Sequence, residues 1–170
     1  MRPRLFRSLA GRALPLASLV LLALVAAPAN SMSGNIFSDL NGYWSGGGSV
    51  SPLKGKGGSV SCRATYSVSG ANVTQNLRCS GSGDVKFSTS ANFTYKGSSI
   101  RGSWTESTYS AAGGMSGTAS GSSIRARISG DKFSGRMTVN VSGSRQTINI
   151  VQLDKRTGAY KSVANLSLHR

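Results

Sequence analysis

Reactive side chains are few in this chain, and their positions limit the chemistry available to it. The acids number five, Asp39, Asp84, Asp131, Asp154 and Glu106. The four aspartates fall in or beside turn-like segments, and only Glu106 shares the inward parity of an apolar strand. One inward carboxylate is not the pair that general acid–base or glycosidic chemistry needs. The single histidine, His169, is the penultimate residue, and no base stands beside any of the many serines, so a nucleophile–base pair is missing. Two cysteines and one histidine fall short of a metal site, and phosphate-binding spacings are absent. The residues therefore predict a non-catalytic protein with no cofactor and no metal. Glu106 keeps two readings: it orients a polar group of a ligand near Trp104, or it ends a strand in water.

The cysteines fit a disulfide instead. A two-residue loop at Gly70-Ala71, the Gly-first pattern of a type II′ turn, makes Val60 to Ser80 a hairpin and sets Cys62 opposite Cys79. Counted from the turn, that pair falls on a non-hydrogen-bonded site, whose short Cα separation suits a bridge. The same register places Cys62, Ala64, Tyr66 and Val68 on one face with Val73, Gln75, Leu77 and Cys79. It places Arg63 directly opposite Arg78 on the other face. Closing this loop contributes about 3 kcal/mol on a chain-entropy estimate.

The positions around this hairpin come from a chain in three parts. Residues 1–29 read as a secretory signal peptide: four arginines without an acid, an apolar run from Ala13 to Val25, then Ala27-Pro28-Ala29 as a small-x-small cleavage site. The run is short for a membrane span, so no span is expected after its removal. Residues 30–41 form an N-terminal lead-in, with Ile36, Phe37 and Leu40 making a short helical turn against one end of the fold. Residues 42–170 form the folded domain. Sixteen of the twenty Lys and Arg lie after residue 29, against all five acids, so the basic excess belongs to the domain and not to the leader. Export permits the disulfide and predicts a periplasmic or secreted protein.

Period-2 alternation of apolar and polar residues recurs through the domain, interrupted by Gly/Ser-rich turns and by a loop or bulge expected at Thr108 to Gly114. The pattern predicts an all-β fold: an antiparallel up-and-down meander of about eight to ten strands, closed or nearly closed into a barrel with one disulfide. The outward face is Ser, Thr, Asn and Arg, which excludes a lipid-facing barrel. Inward positions bring together Trp44, Tyr66, Phe87, Phe93 and Tyr95. Further along they add Trp104, Glu106, Met115, Phe133 and Met137. Glycines and alanines recur among them. Either these small residues leave an apolar cavity lined by the ten candidates, or neighbouring aromatics fill it and the glycines mark bends. Outward positions hold Arg63, Arg78, Arg101, Arg125, Arg127, Arg136 and Arg145. They are either a solvated basic coat or an anion-binding surface, because guanidinium pairs fork onto phosphate and carboxylate oxygens. Nucleic acid is a poor fit, since the outward faces lack aromatics for stacking.

Leu40-Asn41-Gly42-Tyr43-Trp44, opening the first strand of such a meander, resembles the Gly-x-Trp start of lipocalins and other calycin-type barrels. The resemblance implies a cup for a small hydrophobic ligand, with the tryptophan packed across its closed end and an arginine lying over it. No position in the sequence identifies that arginine. The order of Leu-x-Gly-x-Trp and two cysteines is also similar to that of small periplasmic barrels that inhibit proteases or lysozyme, and the chain as a whole resembles small exported alphaproteobacterial proteins. Two functions follow as expectations. One is a binding protein with a lipid or other small apolar ligand inside and an anionic envelope polymer or lipid headgroup outside. The other is an inhibitor or interaction module acting through Asn35 to Trp44 or the Lys54 loop.

Overall fold

The structure, a computed structural model, describes residues 35–82 and 85–170; the expected signal peptide, residues 30–34 and Asp84 lie outside the described residues. A short helix α1 (Ile36–Leu40) precedes ten strands: β1 (Gly42–Val50), β2 (Gly58–Ser69), β3 (Asn72–Gly81), β4 (Lys86–Lys96), β5 (Ser99–Glu106), β6 (Ala111–Ser120), β7 (Ser123–Gly130), β8 (Ser134–Ser142), β9 (Arg145–Leu153) and β10 (Tyr160–His169). Each strand pairs antiparallel with the next, and β10 returns to pair with β1, so the meander closes and leaves no sheet edge. No helix among the described residues is long and apolar enough to cross a membrane.

The hairpin register is the one the turn chemistry demands. Ser69 faces Asn72 around Gly70-Ala71, and Cys62 faces Cys79. Gly70 has φ 56°, the left-handed value that this turn requires at its first central residue. The cysteines are disulfide-bonded, with Cα atoms 4.1 Å apart, as expected at a non-hydrogen-bonded pair. The same two-residue Gly-first turn joins β4 to β5, β6 to β7 and β8 to β9. In an antiparallel meander these four tight turns share one end of the barrel. The other end carries the longer connections at 51–57, 82–85, 107–110, 131–133 and 154–159.

The tight-turn end is shut. Asn35 caps α1 by accepting from the Phe37 N–H, and Ile36, Phe37 and Leu40 are buried. Phe37 stacks on Tyr95 with centroids 4.1 Å apart and leans on Phe93 at 6.0 Å. Val73, Ile100, Val139, Val141, Leu166 and Leu168 complete a buried core.

One expectation needs correction. The break foreseen at Thr108 to Gly114 is confined to Ser107 to Ser110, and β6 begins at Ala111. Gly113, a poor strand residue in isolation, is held in the ladder between Trp104 on β5 and Gly130 on β7. The inward glycines also settle what small residues do here. A Cβ on Gly102 would overlap the Asn92 carbonyl oxygen, and one on Gly117 the Arg125 carbonyl oxygen. These positions let strands coil tightly over one another; they are not spaces left for a guest.

Candidate functional site

The ten inward candidates do not line one chamber; the fold divides them between the two ends. Trp44, Tyr66, Phe93 and Tyr95 belong to the shut end. Trp44 is 2% exposed, and its Nε1–H donates to the Leu40 carbonyl at 2.7 Å, tying the first strand to the last turn of α1. Tyr95 accepts from Asn35 Nδ2 at 2.8 Å and donates to the Gly70 carbonyl at 3.0 Å, so it stitches α1 to the β2–β3 turn. Arg170, which no sequence pattern singled out, lies over the Trp44 ring at 5.1 Å and donates to the Asn41 carbonyl at 3.1 Å. It fills the role of the arginine that the lipocalin resemblance implies. Its position is legible only once β10 closes onto β1.

Tyr66 and Gln146 form a buried polar pair within this end. Gln146 is 0% exposed and donates from Nε2 to the Tyr66 oxygen at 2.7 Å, while its own amide oxygen has no protein partner. Burial disfavours the phenolate and pushes the Tyr66 hydroxyl up to about 12, against the smaller opposing effect of the Gln146 hydrogen bond. Met115 is buried between the two ends.

At the long-loop end the interior stays partly open. Phe87, Trp104, Met137 and Ile150 are half-buried against the core, and Phe133 is half-buried in the β7–β8 loop. Trp104 and Phe133 meet edge to face with centroids 6.0 Å apart. The Trp104 indole N–H donates to the Gly114 carbonyl at 3.2 Å, laying the ring along the glycines of β6 and β7. Around this apolar rim the loops carry Lys54, Lys56, Lys132, Lys155 and Arg156. Lys161 pairs with Asp154 at 3.0 Å.

Glu106 is buried at the same end, and neither reading of it describes what it does. Oε1 accepts from the N–H groups of Ser88 and Thr108, each at 3.0 Å, and Oε2 from that of Tyr109 at 2.6 Å. Burial alone would raise its pKa; the backbone donors outweigh that and hold the carboxyl below its ordinary range. From the other side, Lys132 Nζ donates to the carbonyls of Tyr109 at 3.0 Å and Ser110 at 3.1 Å. The β5–β6 loop is thus clamped from both sides, with Ser110 at φ 49° and Tyr109 held out 63% exposed.

The outward arginines take their expected face. Arg63 stands opposite Arg78, and Arg127 opposite Arg136. Arg136 packs over the Tyr160 ring at 4.2 Å. Two shallow clefts mark the outer wall: one of about 480 Å3 beside Ser59, Ser61, Ser80 and Ser82, and one of about 280 Å3 beside Thr74, Asn92, Thr94 and Arg101. Neither opens from the inward candidates.

No protein-family model matches this sequence, and no curated protein matches it in sequence. Solved structures do share its architecture. Rv2717c from M. tuberculosis superposes with a TM-score of 0.65 at 10% identity, covering 82% of this chain and 98% of that one. The S-type phycobiliprotein lyase CPES from Guillardia theta superposes with a TM-score of 0.51 at 13% identity, covering 78% and 86%. Together with the closed meander, the helix-plugged end and the tryptophan packed beneath an arginine, these likenesses make the fold a lipocalin-like barrel.

Proposed function

We propose that this chain is a non-catalytic, exported binding protein whose ligand is amphipathic and anionic, its apolar part seated at the long-loop mouth and its headgroup among the loop lysines. One observation carries the reading: the barrel is asymmetric, shut by α1 and tight turns at one end, and edged at the other by half-buried Phe87, Trp104, Phe133, Met137 and Ile150 beneath basic loops. An apolar recess with few polar groups is the usual form of a small-molecule site. Cationic side chains at its rim favour a carboxylate or phosphate head. The outer arginines extend the same preference for anionic envelope material. The disulfide fits an oxidising compartment, periplasmic or extracellular.

The test is thermal unfolding of delipidated protein with long-chain fatty acids, lysophosphatidic acid and the matching fatty alcohols. Ligand at one hundred times its Kd adds about 2.7 kcal/mol of stability, so anionic amphiphiles raise Tm clearly and the alcohols less. Phe133→Ser lowers the effect. No shift across the panel overturns the reading.

Tyr109 supports a second reading, an inhibitor or interaction module. An exposed aromatic on a clamped loop is a ready anchor for a protein partner. The N-terminal segment does not share that role, because Ile36, Phe37 and Leu40 are spent on closing the barrel. Recovery of a stable complex from the same compartment that is lost in Tyr109→Ser would favour it.

A further inference from the structure

Barrel closure aligns side chains that the sequence keeps far apart. Arg145 on β9 is paired with His169 on β10, His169 with Ser45 on β1, Ser45 with Arg63 on β2, and Arg63 with Arg78 on β3. All five are exposed on the outer wall. Strands lie about 4.8 Å apart, so the row runs roughly 19 Å along the wall and covers four of the ten inter-strand intervals. Among the described acids, Asp39 is on α1 and Glu106, Asp131 and Asp154 are at the mouth, so none stands in the row. Tyr43, 80% exposed, stands two residues before Ser45 on the same face of β1, opposite Thr65, which itself faces Asn76.

The arrangement selects among anionic partners. Two arginines directly opposite each other are mutually destabilising unless an anion lies between them, and a guanidinium pair suits the oxygens of one carboxylate, sulfate or phosphate. A flat membrane meets a barrel wall along a narrow line and cannot reach both Arg145 and Arg78. A flexible polymer can follow the row around the curve. Single-stranded nucleic acid would call for successive stacking platforms, and beside the row the wall offers Tyr43. A single exposed tyrosine among Thr65, Asn76, Ser61 and Ser80 suits a sugar instead, with a ring face on the phenol and hydroxyls on the polar side chains.

We infer that this row, Arg145–His169–Ser45–Arg63–Arg78 with Tyr43 beside it, is a binding track for an acidic polysaccharide. The inference rests on the exterior half of the function proposed above, and gives it residues and a partner class. It is independent of the mouth.

The test measures binding of full-length protein to polygalacturonate and to heparin, beside neutral dextran, a mixed-sequence DNA oligonucleotide and phosphatidylglycerol vesicles. Each charge-assisted contact is worth about 1.5–3 kcal/mol, and 1.4 kcal/mol is about tenfold. Arg63→Gln with Arg78→Gln therefore weakens binding to the acidic glycans by about tenfold or more, and Tyr43→Ser weakens it further. The double variant also melts higher in the absence of glycan, because the facing charges are gone. Removing the same charge from the other wall, Arg125→Gln with Arg127→Gln, costs distinctly less, and Phe133→Ser leaves glycan binding unchanged. An equal loss in the Arg125/Arg127 variant overturns the track while leaving a generally anion-binding exterior. Tighter binding of the oligonucleotide or the vesicles, with the same residue dependence, overturns the partner class. Absence of binding to every anionic probe overturns the exterior reading itself.

Discussion

The buried pair of Tyr66 and Gln146 makes a quantitative prediction about what this barrel tolerates inside. Tyr66→Phe takes from Gln146 its one protein partner, leaving both halves of a fully buried amide unpaired; an unmet buried polar group costs about 1–3 kcal/mol, so a loss near ~2 kcal/mol is expected. Gln146→Leu strands the Tyr66 hydroxyl but also removes the amide oxygen that already lacks a partner, so the two effects nearly offset and the net loss is about 1 kcal/mol or less. The double variant has no polar atom to satisfy and is as stable as the parent or slightly more so. It should therefore exceed the additive expectation by about 3 kcal/mol, far outside the ~0.5 kcal/mol within which independent sites add. Urea denaturation of the four proteins gives the cycle directly. The alkaline limb provides a second readout. Tyr66 titrates at 10.0 ordinarily and at about 12 in the fold. A raised folded pKa means stability fully present below the unfolded value and lost as pH rises through the folded one. Two units amount to roughly 3 kcal/mol, disappearing between about pH 10 and 12, and Tyr66→Phe should lack that part of the slope. Additive energies in the cycle, or an unchanged alkaline slope in Tyr66→Phe, would refute the reasoning.

Three further outcomes are expected. Glu106→Gln replaces an acceptor of three backbone N–H groups by one with a single oxygen, so it destabilises by about 1–3 kcal/mol and speeds hydrogen exchange at Thr108 and Tyr109. Because the Glu106 carboxyl is depressed below its ordinary 4.5, its contribution is full above that pH and is lost as pH falls through the lower folded value; the variant shows a flatter acid limb. Reducing the Cys62–Cys79 bridge lowers stability by about 3 kcal/mol in denaturation with and without reductant. Gly102→Ala, whose Cβ would overlap the Asn92 carbonyl, costs about 3 kcal/mol or more as a steric clash in a packed wall. Gly58→Ala, with nothing within 4 Å of the new Cβ, costs less than about 1 kcal/mol, and thermal melts of the two variants separate these cases.

The sequence by itself determined the strands, the hairpin register and the disulfide. Those depend on interactions between residues close in the chain: the Gly70-Ala71 turn sets the pairing of Cys62 with Cys79, and period-2 polarity sets which side chains face inward. It determined the outward face of every arginine for the same reason. The distribution of those residues around the barrel belongs to the tertiary structure alone. Whether inward glycines make room or make bends depends on how closely neighbouring backbones coil, and Gly102 and Gly117 show no room for a Cβ. Glu106 was legible as an inward acid, but its partners are backbone N–H groups of β4 and of the loop after it, which carry no side-chain signature. Arg170 meets Trp44, and Arg145 and His169 come into line with Arg63 and Arg78, because β10 pairs with β1. That closure brings the two ends of the domain together by hydrogen bonds between main chains, and no local pattern of side chains encodes it.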